Sequence, residues 1–220
     1  MNKRLINKTA VYVQNELADA EGGHDWHHIK RVWINAQKIA ENEDVDMEVV
    51  ELAALLHDIA DPKFHNGNED IGPQTARNYL ESTSLNEEKK DHVINIIKHM
   101  SFKNSLEEKT FGSNEMDVVQ DADRLDAIGA IGIARAFNYG GFKNRIIFDS
   151  SIFPKINLTK EEYKNTSAPS INHFYEKLLL LKDKMNTTTG RKIAEKRHQF
   201  MLSFLEQFYE EVGVPDWIHS

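Results

Sequence analysis

Apolar positions recur along this chain at spacings of three and four, the period of helices rather than of strands. Residues 3–19 place Leu5, Ile6, Val11, Tyr12, Val13 and Leu17 on one amphipathic helix, which Glu21-Gly22-Gly23 ends. Asp25 caps a second helix reaching about Glu43, with Trp26, Ile29, Trp33, Ala36 and Ala40 on one face. Asp46 caps a third, whose body from Val49 to Ala60 is almost wholly apolar and therefore belongs in a core; it should stop at Asp61-Pro62. Pro73 opens a fourth helix to about Ser82, and Asn86 caps a fifth ending near Met100. A polar loop over 101–114 leads into a sixth, mostly apolar helix over about 115–138, ended by Gly140-Gly141. Residues 142–168 form the longest irregular stretch, with at most a short strand pair at 146–156. Two more helices follow at about 170–185 and 189–212, the latter capped by Thr188 or Thr189. The pattern predicts an all-α chain of one domain, residues 1–220. Its core covers about 20–140, and C-terminal helices over about 170–213 pack on it.

Composition narrows the class. The 220 residues hold 27 Lys and Arg against 35 Asp and Glu, a net charge of −8. No cysteine is present, which excludes disulfide scaffolds, thiolate zinc sites and cysteine nucleophiles. No apolar run approaches the roughly 18 residues of a membrane span, and the polar N-terminus does not suit a signal peptide. A cytoplasmic protein with no membrane partner is expected. The acidity argues against binding a nucleic acid duplex, which needs a basic surface. It leaves phosphorylated small molecules open, because a bound cation reverses the local field.

Chemistry is signalled where charged residues interrupt helices destined for a core. His57-Asp58 follows the apolar run Leu52 to Leu56. Asp123 shares its helical row with Val119, Ala127, Ala130 and Ala134. A buried carboxylate must be paired or bound to a cation. A salt bridge from Asp123 to Arg31 or Arg124 would satisfy it alone, but two acids and a histidine in core helices can share one metal ion. The second helix offers a further ligand. His28 lies at the margin of its apolar face, aligned with Val32 and Ile39, whereas His27 falls opposite that face and His24 precedes the helix. His28, His57, Asp58 and Asp123 thus make a set of two imidazoles and two carboxylates. That mix suits a first-row divalent ion, manganese first, with iron, cobalt, nickel or magnesium as alternatives.

This H…HD…D order resembles the signature of the HD-domain superfamily of metal-dependent phosphohydrolases. GHDWHHIKRV (23–32), AALLHDIADPKFH (53–65), VVQDADRLDAIGAIGIARAF (118–137) and NTTTGRKIAEKRHQFM (186–201) extend the likeness to a bacterial single-domain subgroup over nearly the whole chain. The resemblance implies an HD-domain helical bundle with a C-terminal helical extension, a metal held between the second, third and sixth helices, and a homodimer. It also implies a nucleotide substrate, with a (deoxy)nucleoside triphosphate pyrophosphohydrolase as the leading activity and a nucleoside monophosphate phosphatase, a phosphodiesterase or a non-catalytic nucleotide-binding sensor as the alternatives. Members with a second metal often carry lysine four residues after the histidine; here Asp61 stands there, which points to a single ion. Alarmone hydrolases carry an acidic pair at the fourth and fifth positions, and Pro62 occupies the fifth here.

A divalent ion polarises a phosphoryl oxygen and acidifies water. Asp61, about one helical turn past Asp58, could accept that water's proton or orient the water, or could only end the helix before Pro62. The substrate's phosphates need local positive charge, for which Arg31, Lys63, His65, Lys103, Arg124 and Arg191 are the candidates. Asp126, one turn past Asp123, would bind Arg124 or the substrate; Tyr139 and Phe142 could stack a base or pack in the core.

Overall fold

A computed structural model describes residues 2–18, 25–60, 68, 70–100, 111–156, 167–215 and 217. The described residues are helical, with no strand among them. In chain order the helices are α1 (Lys3–Glu16), α2 (Trp26–Ala40), α3 (Met47–Leu56), α4 (Ile71–Glu81), α5 (Glu87–His99), α6 (Asn114–Asp126), α7 (Gly129–Phe142), α8 (Asn172–Glu176), a 3₁₀ segment (Leu178–Lys184) and α9 (Thr188–Val212). No helix is long and apolar enough to cross a membrane among the described residues.

The chain divides into two compact units, Met1–Asp123 and Arg124–Ser220. In the first, α3 is the central element, packed by α1, α2 and α5, while α4 lies on α5. Every residue of α3 from Val49 to Leu56 is buried, as an all-round apolar helix requires. The expected caps hold. Asp25 accepts from the His28 amide, Asp46 from those of Glu48 and Val49, and Asn86 from that of Lys89. In the second unit, α9 packs on α7 and the 3₁₀ segment. Phe137, Phe174, Phe204 and Phe208 form an aromatic cluster there, with Phe174 fully buried and the other three half-buried.

Several boundaries differ from the sequence pattern, each for a local reason. Helix α3 ends at Leu56 rather than Ala60. The His57 ring takes the Ala54 carbonyl at 2.9 Å, and the backbone continues as a turn with Ile59 N–H on Leu56 O. The expected helix over 115–138 is two helices, because Ile128 is extended and Gly129 has φ +74°, a left-handed conformation that only glycine adopts freely. Helix α7 then runs through Gly140-Gly141 to Phe142. The segment expected as one helix over 170–185 breaks at Lys177 (φ −145°) into α8 and the 3₁₀ turns. Thr187, not Thr188 or Thr189, caps α9, its hydroxyl accepting from the Gly190 amide. No strand pair forms at 146–156; the Ile146 and Ile147 carbonyls accept from the Ser170 and Ile171 amides.

The turn between α6 and α7 closes so tightly that a Cβ on Gly132 would lie 2.2 Å from the Ala127 carbonyl oxygen. Alanine's better helix propensity, about 1 kcal/mol, cannot offset a forced backbone shift. Gly132→Ala is therefore expected to destabilise the protein by about 2–3 kcal/mol, read as a lower urea midpoint. An unchanged midpoint would show that the turn can open without cost.

Candidate metal centre

The four residues singled out by their positions converge within the first unit. Asp25 fixes the first turn of α2, and so the direction of His28, whose side chain is 3% exposed. His57 caps the C-terminus of α3 and Asp58 follows it. Asp123 lies in the last turn of α6. His28 Nε2 is 3.5 Å from Asp123 Oδ1 and 4.0 Å from Asp58 Oδ2; His57 Nε2 is 4.0 Å from Asp123 Oδ1. The two imidazoles meet edge to face at 5.4 Å. His28, His57 and Asp58 each offer a donor atom within 4.8 Å of the others.

The donor chemistry fits a cation. A carbonyl only accepts, so the bond to Ala54 O puts a proton on His57 Nδ1, and in the neutral ring Nε2 is then the nitrogen that can coordinate. That Nε2 is buried with no hydrogen-bond partner among the described residues. A buried nitrogen left open in this way can be satisfied by a water or an ion. The separations of 3.5–4.0 Å are too long for direct hydrogen bonds. They match donor atoms set about 3–4 Å apart around one ion by bonds of about 2.0–2.2 Å.

The Asp123 carboxylate is 45% exposed and that of Asp58 20% exposed, so neither is forced into a partnership by deep burial. Among the described residues the deeply buried acids are Glu51, Asp121 and Asp126. Asp126 pairs with Arg135 rather than Arg124, and Arg197 donates to the Leu125 carbonyl beside it. Burial holds the Arg197 guanidinium below its usual pKa, opposed by the charge of Asp126.

The remaining candidates are distributed as follows. His27 is exposed and Arg31 is half-buried on α2. Arg124 donates to the Lys184 carbonyl and Arg191 to that of Met185, both within the second unit. Tyr139 and Phe142 are exposed, with the Lys143 ammonium over both rings, so neither enters the core. His24, Asp61, Lys63, His65 and Lys103 lie outside the described residues.

An all-helical chain that brings His28, His57 and Asp58 together, with Asp123 beside both imidazoles, has residues that could hold a metal ion. The model of the HD domain matches residues 25–128. The chain is 40% identical to YpgQ of Bacillus subtilis over 211 residues, covering 92% of this chain and 91% of that one. It is similar to the crystal structure of an HD-superfamily hydrolase from Bacillus thuringiensis, with 42% identity and a TM-score of 0.78 over 97% of this chain and all of the other. YpgQ crystallised in complex with ADP gives a TM-score of 0.74 at 35% identity over 96% of this chain and 100% of that one. The protein belongs to the HD-domain superfamily.

Proposed function

We propose that this protein is a divalent-metal-dependent phosphohydrolase acting on nucleotides, specifically a (deoxy)nucleoside triphosphate pyrophosphohydrolase that releases the monophosphate and pyrophosphate. The observation that carries the metal is the buried Nε2 of His57 facing His28, Asp58 and Asp123. A nucleotide substrate draws support from the ADP complex of YpgQ. One ion, manganese in the first instance, would supply Lewis acidity to a phosphoryl oxygen and acidify water. His28 and His57 would bind it as neutral imidazoles. The two carboxylates would balance its double charge and leave the substrate's phosphates to be met by cations.

Asp123, the most exposed of the four, marks the side on which the cluster meets solvent and substrate. Asp61 would take the proton of the attacking water, and Arg31, Lys63, His65 and Lys103 would hold phosphate oxygens. A cytoplasmic nucleotide pool would supply the substrate. The test is a panel of ribo- and deoxyribonucleotides incubated with the manganese-loaded protein, products identified by mass. Pyrophosphate and monophosphate are expected, and a chelator should abolish turnover. Inorganic phosphate released from monophosphates would instead make it a phosphatase. Binding without turnover would make it a sensor.

A further inference from the structure

Glu51 is a carboxylate at the centre of the most apolar helix, 3% exposed. Burying it is costly unless donors surround it. Both donors come from α2: Trp33 Nε1–H at 2.6 Å and Gln37 Nε2–H at 2.9 Å, on the same oxygen, Oε2. Trp33 and Gln37 are four residues apart and so stand one above the other on the α2 surface. One acceptor thus reads two successive turns. Sliding α2 along α3 in either direction breaks at least one bond.

Both helices lead from this clamp to the metal centre. Trp33 and Gln37 pair with Glu51, and His28 lies beside His57 and Asp58, so α2 and α3 run antiparallel. His28 is five residues back from Trp33, about 7.5 Å, and His57 six residues on from Glu51, about 9 Å. Trp33 therefore sits about 1.4 turns from His28 on α2, and Glu51 about 1.7 turns from His57 along α3. A hydrocarbon at position 51 would match the rest of α3, which is buried from Val49 to Leu56 and otherwise apolar. Core packing alone gives no reason for an acid, whereas a fixed axial register does.

We infer that Glu51 is a positioning residue: by clamping Trp33 and Gln37 it sets the register of α2 on α3, and with it the separation of the His28 and His57 metal-binding nitrogens. This rests on the metal reading above. The test titrates Mn²⁺ into chelator-stripped protein by calorimetry and records the visible bands of the Co²⁺ form, for wild type, Glu51→Leu, Glu51→Gln and Trp33→Phe. Glu51→Leu should retain its helix content but bind Mn²⁺ about 10–100-fold more weakly, with shifted Co²⁺ bands. Glu51→Gln keeps a carbonyl for both donors and should recover affinity to within about threefold. A folded Glu51→Leu with affinity within about threefold of wild type and unaltered bands overturns the inference. Should that variant fail to fold, Trp33→Phe decides: weaker binding and shifted bands support the clamp, and an unchanged titration refutes it. A wild type that binds neither ion defeats the metal reading itself, which is a distinct failure.

Discussion

Asp58→Ala is expected to remove divalent metal and hydrolysis together while leaving the helical fold in place. Asp58 is 20% exposed and lies just past the end of α3, so losing its side chain opens no cavity in the core. Its place in the cluster is different. With His28 Nε2 at 4.0 Å, it is one of two negative charges against which a dication would balance. Displacing groups that merely orient a ligand costs about 10–100-fold in metal affinity, so deleting a ligand should exceed about 100-fold. Turnover should fall at least in proportion. Asp123→Ala should behave the same way, since its Oδ1 faces both imidazoles. Elemental analysis of the purified variants, with circular dichroism and the nucleotide panel, checks all three consequences. Turnover near the wild-type rate in either variant would falsify the ligand assignment.

How much of this was legible beforehand depends on whether the cause was local. Caps at Asp25, Asp46 and Asn86 were readable because an N-cap is a short-range hydrogen bond between a polar side chain and amides two or three residues on. The grouping of His28, His57 and Asp58 could be anticipated because they are polar residues in or at the end of helices that are otherwise apolar on that side. The break at Gly129 was hidden, since apolar residues continue straight through it as Leu125, Ala127, Ile128 and Ala130. Only the backbone angle distinguishes that glycine from Gly132, which stays inside α7. The 3₁₀ segment LLLLKDK contains no breaker residue at all. Glu51 stood in plain view within VVELAALL, but its meaning lies in Trp33 and Gln37, 18 and 14 residues away. The exposure of Asp123 was equally nonlocal, because helical spacing says which residues share a row and nothing of what covers that row.

Acidification from pH 7 to pH 5 should destabilise the protein partly through one imidazole far along the chain from the proposed chemistry. His173, at the second position of α8, has its pKa pushed down from 6.5 to about 3, first by burial and then by the nearby charges of Lys177 and Arg145. The unfolded chain therefore takes up a proton as the pH drops below 6.5, while the folded protein does not. The stability that the neutral ring supports is fully present above the unfolded value and is lost progressively as pH falls toward the folded one. Each pH unit in that window removes at most about 1.4 kcal/mol, so the loss by pH 5 is about 2 kcal/mol. Burial pushes His198 in the same direction, so wild-type stability alone does not isolate His173. His173→Gln does, because it keeps a polar side chain and removes the titration. Thermal midpoints of both proteins, measured with chelator so that metal and proton do not compete at His28 and His57, should diverge in their pH dependence. At about 2–4 °C per kcal/mol, the wild type should lose some 4–8 °C more than the variant between pH 7 and pH 5. Parallel curves would mean that the His173 ring is solvated well enough to accept its proton in the folded state.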